Sequence, residues 1–260
     1  MAEAGFDLKK ARVLLSNDDG INAPGLKALE DAIKPHVKEL WVCAPETEQS
    51  ATSHSLTLRR PLRIRHVSEN RYAVDGTPTD AVLLGVSKVM DGNRPDLILS
   101  GINRGGNLGE DVTYSGTVAA AMEGAMLGIP SVALSQVYED RHKVKWATAK
   151  NWTPKVLKQL FKQGWPKGIF INVNFPDVTA AKVTGSEVCR QGRRKIGGGL
   201  TRGVDPRGDE YFWVGPQRDE DKYLKGTDLA ASIEGKVSVT PLALDLTHDT
   251  TLRKLKSGMK

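Results

Sequence analysis

The amino-acid sequence predicts an α/β fold with a mostly parallel sheet, and three observations support this prediction. Short apolar runs alternate along the chain with segments whose apolar residues repeat at helical spacing. Most of these runs end in polar, glycine-containing loops, as the strands of doubly wound sheets do. The chain has 260 residues, of which 39% are hydrophobic, so it can form one large domain with a substantial core.

The first two thirds of the chain supply the predicted strands and helices of this sheet. We predict strands at residues 13–15, 39–44, 56–67, 71–74, 95–100, 130–135 and 168–173. We predict helices at residues 24–33, 78–89, 115–128 and 146–163. Proline at the first helical position supports two of the helix starts, Pro24 and Pro78, and Thr77 is a suitable N-cap for the second.

The pattern changes beyond residue 174. We predict strands at residues 182–190, 237–242 and 244–246, followed by a helix after residue 247. The segment between them, residues 193–226, is rich in glycine, charge and aromatic residues and has no clean period. We interpret this latter part as an appendage that covers the substrate or contacts another subunit.

Composition excludes several classes of protein. The two cysteines, Cys43 and Cys189, provide neither a disulfide framework nor a CxxC metal motif. The formal net charge of +6 suits an anionic partner, but the basic residues are scattered among 31 acidic ones. We therefore expect a small phosphorylated substrate and no stable nucleic-acid complex. The chain lacks an apolar run of membrane-spanning length and an apolar signal core, so we expect a cytoplasmic protein without a membrane partner.

Three polar side chains directly follow the first predicted strand: Asn17, Asp18 and Asp19. At about 5 Å and an effective dielectric of about 20, two adjacent carboxylates repel each other by roughly 3 kcal/mol. A divalent cation would turn this repulsion into attraction, and oxygen ligands suit Mg²⁺ or Mn²⁺. The alternative interpretation is an ordinary turn, because Asn and Asp-Gly are common loop residues. This stretch alone leaves both interpretations open.

Two further strand ends carry polar residues of the same kind. Gln49 and Ser50 follow the second strand, and Asn103 and Asn107 follow the strand at residues 95–100. Because adjacent strands lie about 4.8 Å apart, loops from neighbouring strand ends can converge on one ion. Carboxylate, hydroxyl and amide oxygens would leave positions open for water and substrate, as a catalytic metal requires.

A helix of small residues begins at Ser115, Gly116 and Thr117. Exposed N–H groups and the positive end of the helix dipole favour an anion at such a start, and the missing side chain of Gly116 permits close approach. Helix capping alone would also select a serine here. A metal beside an anion-binding helix start, however, indicates a phosphoryl site.

Five motifs occur in a fixed order: NDDGINAPG, the loop from AP to QSA, DGTPTD, SGIN with GGN, and YSGTVAAAMEG. With them the sequence resembles the SurE family of survival-protein nucleotidases. The resemblance implies a Rossmann-like three-layer α/β/α core with a swapped hairpin or tail, assembled as a homodimer or homotetramer. It also implies a catalytic core at residues 1–175, followed at residues 176–260 by the remaining strands, an oligomerisation hairpin and a C-terminal helix, in one structural domain.

The resemblance further implies a divalent-metal-dependent phosphatase that acts on nucleoside 5′- and 3′-monophosphates and in some members on short polyphosphate. We expect one Mg²⁺ or Mn²⁺ per subunit. The implied metal ligands are Asp18, Asp19, Ser50 and Asn103. The implied phosphate-binding residues are Asn17, Asn107, Ser115, Gly116 and Thr117.

We expect metal-activated water to attack the phosphate directly, with Asp18 or Asp19 as the catalytic residue that positions or deprotonates it. A haloacid-dehalogenase-type phosphatase would instead need two aspartates one residue apart after the first strand, and here they are adjacent. His54 follows the Ser50 loop and is a candidate for proton transfer, although a single loop histidine is often merely solvated.

Two other classes of function stay open at this stage. A non-catalytic nucleotide- or RNA-binding module would suit the basic charge, but the chain lacks a GxGxxG motif after the first strand and an aromatic RNA-stacking motif. A purely structural oligomer would not explain why metal-type side chains gather at three strand ends.

Overall fold

The computed structural model describes residues 6–139, 143–196, 199–214, 218–220 and 224–259. The strands within these residues are β1 (Arg12–Ser16), β2 (Glu39–Pro45), β3 (Ile64–Ser68), β4 (Arg71–Val74), β5 (Leu97–Arg104), β6 (Ser131–Gln136), β7 (Ile169–Phe175), β8 (Ser186–Val188), β9 (Arg194–Ile196), β10 (Leu200–Val204), β11 (Glu210–Val214), β12 (Arg218–Glu220) and β13 (Val237–Ala243). The helices are α1 (Pro24–Ile33), α2 (Pro78–Leu84), α3 (Gly116–Met126), α4 (Trp146–Leu160), α5 (Asp228–Ile233) and α6 (Asp249–Gly258).

The main sheet has nine strands in the described residues, in the order β3-β4-β2-β1-β5-β6-β7-β13-β8. The six strands from β4 to β7 in this order are parallel to one another. At the edges, β3 runs antiparallel to β4, β13 runs antiparallel to β7, and β8 is parallel to β13. The predicted α/β fold with a mostly parallel sheet is therefore confirmed.

The central strands are buried because helices cover both faces of the sheet. In β1, Val13 and Leu15 pack into the apolar cluster that contains α1 and α4, whereas Leu14 packs into the cluster with α2 and α3. All three side chains are fully buried, and each burial contributes about 1.5–3 kcal/mol to the folded state. This alternation explains why the strand is a continuous apolar run in the sequence.

The order of the strands reverses direction at β1. From β1 the chain moves outward to β2 and β4, and it then returns to β5 on the other side of β1 before continuing to β6 and β7. The loops that leave β1 and β5 therefore diverge to opposite sides of the sheet. Such a switch point leaves a crevice at the carboxyl ends of the two strands, where α/β proteins bind ligands.

The prediction of one strand over residues 56–67 is wrong in its first part. Only β3 forms there, because the preceding segment hydrogen-bonds to the start of α2 instead of to a strand. The buried Asp80 carboxylate accepts hydrogen bonds from the Thr57 N–H at 3.0 Å, the Thr57 hydroxyl at 2.6 Å and the Thr77 N–H at 2.9 Å. Thr77 caps α2 as predicted, with Asp80 completing a capping box.

Other boundaries also differ from the predictions. β5 continues through Asn103 to Arg104 rather than ending at residue 100, with an irregular register between Ser100 and Asn103. Residues 244–246 form no strand, and α2 passes into a π-helical turn at Gly85–Val89. The short helix α5, capped by Thr227, was not predicted because six residues are too few for a helical period to show. No helix in the described part of the chain is both long and apolar enough to cross a membrane.

Strands β9 to β12 form an antiparallel hairpin, which we call the arm. The β10–β11 ladder and the β9–β12 ladder have the same register, so they lie along one hairpin. The root of the arm contacts the turn before α3, where Arg194 and Asp111 form a buried ion pair at 3.1 Å. Asp228 also connects the root of the arm to this turn, because its carboxylate accepts hydrogen bonds from the Gly109 N–H at 2.9 Å and from the Gly192 N–H at 2.8 Å.

We expect Gly25→Ala to destabilise the protein by about 1–3 kcal/mol or more. Gly25 lies in the first turn of α1, and a Cβ atom there would overlap the backbone carbonyl oxygen of Ile102 in β5. Urea denaturation at a fixed protein concentration measures the change. Gly258→Ala is the control, because a Cβ at Gly258 meets open space. Equal unfolding midpoints for the two variants would contradict this account of how α1 packs on β5.

Candidate metal and phosphate site

Two carboxylates, Asp18 and Asp19, lie at the switch point directly after β1. The backbone of both neighbouring loops hydrogen-bonds to these two residues: the Gln49 N–H donates to the backbone carbonyl oxygen of Asp18 at 2.7 Å, and the Arg104 N–H donates to the Asp19 carboxylate oxygen Oδ2 at 3.2 Å. The ends of β1, β2 and β5 therefore converge at one point. The metal ligands predicted from the sequence, Asp18, Asp19, Ser50 and Asn103, belong to these three strand ends.

The start of α3 lies directly against Asp18. The Thr117 hydroxyl donates a hydrogen bond to Asp18 Oδ1, and both groups are buried. A Cβ at Gly116 would lie 2.7 Å from the Cβ of Asp18 and 2.9 Å from Cγ of Pro78. Only glycine at this position lets the helix approach so closely. The Asp18 carboxylate therefore lies next to this helix start.

Burial and mutual repulsion dominate the electrostatics of the pair. Burial raises the pKa of Asp18, and the hydrogen bonds from Thr117 oppose this shift. Burial and the charge of Asp18 raise the pKa of Asp19 to about 6. Glu48 adds a further negative charge that raises the pKa of both carboxyls. Glu48 is not among the residues predicted for the site; it lies one residue before Gln49 in the loop after β2.

Ser115 and Gly116 hold the remaining donors of the helix start. Ser115 is the N-cap of α3, and its Oγ accepts the Val118 N–H at 3.1 Å. The serine hydroxyl proton stays available to donate, because Oγ is the acceptor in that bond. The hydroxyl of Thr117, by contrast, is already directed to Asp18. Among the described contacts, the Ser115 hydroxyl and the Gly116 N–H are left for an anionic ligand.

Asn107 is held by a buried network. Its N–H donates to Asn174 Oδ1 at 2.8 Å, and its side-chain amide donates to Ser135 Oγ at 2.8 Å. Its carbonyl oxygen accepts from the amides of Asn172 at 2.8 Å and Asn174 at 3.1 Å. None of these three partners was predicted from the sequence. Two asparagines at alternate positions of a buried apolar strand, Asn172 and Asn174, were nevertheless a signal, because buried polar groups need partners.

The other predicted ligands lie beside the pair. The Asn103 side-chain amide donates to the Gly105 carbonyl oxygen at 2.8 Å, so its Oδ1 is the atom that could bind a cation. The Ser50 hydroxyl is exposed and donates to Glu48 Oε1 at 2.8 Å, while the preceding residue is tied to Asp18. Asn17 donates its amide to the Gly20 carbonyl oxygen at 2.9 Å.

His54 has a different partner. Its Nε2 lies 2.9 Å from Glu123 Oε2, and Glu123 is almost completely buried on α3. Glu123 is six residues beyond Thr117, or about 9 Å along the helix axis. The His54 side chain therefore contacts the middle of α3 and not its start. A proton-transfer role for His54 stays a prediction.

The residues at the switch point fit a hard divalent cation. They present two carboxylates with amide and hydroxyl oxygens nearby, which is the donor chemistry that Mg²⁺ and Mn²⁺ prefer. In the described part of the chain, Asn17 Oδ1 is buried without a hydrogen-bond partner, which leaves an acceptor oxygen beside the pair. No group of three or more His, Cys, Asp or Glu side chains gathers for a metal within the same residues, so the proposed site depends on neutral oxygens as well.

A cleft of about 480 Å³ opens on the other side of Asp19. Its walls include the beginnings of α1 and α4, at Pro24 and Trp146, together with Arg104 from the end of β5. Because α1 and α4 pack on one face of the sheet and α3 on the other, the two carboxylates lie between this cleft and the α3 start.

Comparisons with known proteins find similar sequences that cover nearly the whole chain. The family model described as Survival protein SurE matches residues 13–198. A 5′-nucleotidase SurE of Paramagnetospirillum magneticum is 60% identical over 252 residues, covering 97% of each chain. A 5′-nucleotidase SurE of Parvibaculum lavamentivorans is 48% identical, covering 100% of this chain and 94% of that one.

A solved structure has the same fold along almost the whole chain. The crystal structure of the SurE protein from Aquifex aeolicus matches with a TM-score of 0.83 and 39% sequence identity, covering 96% of this chain and 100% of that one. The family model and the full-length relatives account for the core and for the latter part of the chain alike. The chain thus belongs to the SurE family.

Proposed function

We propose that this protein is a nucleotidase that hydrolyses nucleoside 5′-monophosphates to nucleoside and phosphate. The observation that carries the proposal is the pair of adjacent carboxylates at the switch point, with one of them pressed against the start of α3. Full-length relatives named 5′-nucleotidase support the same activity. We extend the proposal to 3′-monophosphates and short polyphosphate as further substrates, on the resemblance to the family.

The metal ligands in this proposal are Asp18, Asp19, Asn103 and Ser50. One Mg²⁺ or Mn²⁺ per subunit would polarise the phosphate ester and lower the pKa of water at this position. The two carboxylates contribute negative charge, while Asn103 and Ser50 contribute neutral oxygens that leave room for water and substrate. A cation held by Asp18 and Asp19 would offset the repulsion between the two carboxylates.

The protein groups around the two carboxylates then have separate roles in hydrolysis. The Ser115 hydroxyl and the Gly116 N–H hold phosphoryl oxygens at the start of α3, where the helix dipole favours negative charge. Asn107 and Asn17 fix the surrounding loops. Asp18 or Asp19 positions the attacking water and accepts its proton. As the new P–O bond forms, the bond between phosphorus and the ester oxygen breaks, and the departing nucleoside oxygen takes a proton from solvent, so no covalent phosphoenzyme forms.

A homodimer or homotetramer is the second part of the proposal, with the arm as the contact. The described side chains of β11 are all exposed, including Phe212 at 58% and Trp213 at 68%, and Leu200 of β10 is exposed at 67%. A two-stranded hairpin is only marginally stable alone, and contiguous exposed apolar side chains of this size indicate a protein interface. A second copy of the chain is the partner that the family resemblance implies.

We expect wild-type protein with Mn²⁺ to release phosphate from a nucleoside 5′-monophosphate, and a chelator to abolish the reaction. Asp18→Asn and Asp19→Asn should each lower kcat/KM at least about a hundredfold, or roughly 2.7 kcal/mol of barrier, because each removes a ligand charge. Phosphate release measures activity, and circular dichroism checks the fold.

The control for these variants is Asp249→Asn on the exposed helix α6, which should keep full activity. If either active-site variant keeps activity within about tenfold, or 1.4 kcal/mol, the metal assignment is wrong. A stable phosphate adduct on Asp18 after reaction with labelled substrate would contradict the direct attack of water.

We expect Thr117→Val to lower kcat/KM by about 10- to 100-fold and to raise the Mn²⁺ concentration for half-maximal activity. The substitution removes the hydroxyl that donates to Asp18, and a hydrogen bond to a charged group contributes about 1.5–3 kcal/mol. Thr117→Ser keeps the hydroxyl and should keep most of the activity. Thr113→Val, whose hydroxyl donates to the Glu110 carbonyl oxygen instead, is the control. Equal losses in Thr117→Val and Thr117→Ser would exclude the hydroxyl as the cause.

We expect Trp213→Glu to shift the protein toward the monomer, because the charge would be buried in the contact between arms. Size-exclusion chromatography with light scattering measures the mass. Lys158→Glu on the outer side of α4 introduces the same charge away from the arm and should leave the assembly intact. An unchanged mass for Trp213→Glu would rule out the arm as the principal contact.

A further inference from the structure

We propose that the cleft beside Asp19 binds the nucleoside of the substrate and that the base stacks on the guanidinium group of Arg104. This inference rests on the proposed nucleotidase function and assigns the part of the substrate that the carboxylate pair and α3 do not hold. The cleft volume of about 480 Å³ lies within the range of small-molecule sites, about 300–1,000 Å³.

The two carboxylates determine which side of the site takes which part of the substrate. Asp18 faces the start of α3, where Thr117 donates to it and Gly116 leaves space for close approach. Asp19 lines the cleft between the starts of α1 and α4. A phosphate held at the α3 side of the pair therefore directs its ester oxygen, and the group attached to it, across Asp19 into the cleft.

The charge of the cleft favours an uncharged occupant over a second phosphate. Two carboxylates line it, Asp19 and Glu48, and two cations, Arg104 and Lys143, balance them. A further phosphoryl group would meet both carboxylates at short range. A nucleoside carries no charge, and its hydroxyls and ring nitrogens can hydrogen-bond to both kinds of side chain.

The surfaces of the cleft suit a flat ring. The guanidinium carbon of Arg104 lies 5.4 Å from the ring centroid of Tyr138, so the aromatic ring supports the planar cation. Trp146 adds an aromatic side chain to the wall, and Pro24 and Ala23 add apolar surface. Bases stack on guanidinium planes as they do on aromatic rings, and such contacts tolerate every base.

Backbone hydrogen bonds fix the position of Arg104 relative to the two carboxylates. The Arg104 N–H donates to Asp19 Oδ2 at 3.2 Å, and the following residue, Gly105, donates its N–H to the Gln136 carbonyl oxygen at 3.0 Å. The guanidinium group is thus anchored at the end of β5, one residue after the proposed ligand Asn103. Arg104 is therefore the residue that distinguishes a substrate with a base from one without.

The test compares AMP with ribose 5-phosphate, which has the same sugar phosphate and lacks the base. In the wild type we expect kcat/KM for AMP to exceed that for ribose 5-phosphate by about tenfold or more, because stacking is worth a factor of this order. In Arg104→Ala most of this preference should disappear, chiefly through a higher KM for AMP. Arg253→Ala on α6 is the matched control and should retain the preference.

Arg104→Lys separates charge from stacking, since lysine keeps the charge and lacks the planar group. We expect this variant to lose most of the preference as well. A second readout is the binding of adenosine alone, measured by calorimetry with the metal removed. Its Kd should rise about tenfold in Arg104→Ala.

Several outcomes would overturn the assignment. These are a wild type that hydrolyses both substrates equally well, an Arg104→Ala variant that loses the same factor on both, and an Arg104→Lys variant with the full wild-type preference. Adenosine that binds the wild type and Arg104→Ala equally would also contradict it. If wild-type protein releases phosphate from neither substrate, the proposed nucleotidase function itself fails, and the binding measurement still tests the cleft.

Discussion

The structure depends on keeping two adjacent carboxylates close together and largely out of water. Asp18 and Asp19 both have raised pKa values, with burial as the leading cause, so the fold disfavours the charges that it places there. The surrounding backbone and side chains offset part of this cost: the Thr117 hydroxyl and the Arg104 N–H donate to the two carboxylates. Such an arrangement contributes little to stability, and a cation is the natural complement to it.

The topology of the sheet explains why the pair can serve two chemical tasks at once. At the switch point, helix α3 approaches Asp18 from one face of the sheet, and α1 and α4 begin on the other face beside Asp19. One carboxylate therefore lies next to helix donors and the other next to an open cleft. In the proposed function, the groups that hold phosphate and the groups that hold the remainder of the substrate come from separate helical layers. The two carboxylates lie where these two sets meet.

Much of this arrangement follows from local sequence signals. The apolar runs at β1, β2 and β6 and the proline-marked starts of α1 and α2 predicted those elements because burial and capping act over a few residues. The motif resemblance supplied the family and the candidate ligands. The signals failed where distant residues decide the outcome. Asp80 prevents a strand at residues 56–63, and the asparagines of β7 hold Asn107 from 65 and 67 residues away.

Local sequence patterns also could not predict the side-chain contacts within the site. Glu48 belongs to a loop whose pattern indicates only polarity, and its effect on the carboxylates arises from the convergence of two strand ends. His54 was a candidate because it follows Ser50, but its ring contacts Glu123 on α3. The side chains of neighbouring loop residues can point in different directions even though the residues share the same sequence context. The geometry that separates them is set by the helix on which the loop packs.

The glycine at the start of α3 has a consequence for protein engineering. A Cβ at Gly116 has nowhere to go between Asp18 and Pro78, so mutagenesis libraries that vary this position would consist largely of inactive clones. Residues that line the cleft also include exposed ones, such as Lys143. Efforts to retarget the enzyme to new phosphate esters would therefore advance fastest by keeping the helix start fixed and diversifying the opposite wall.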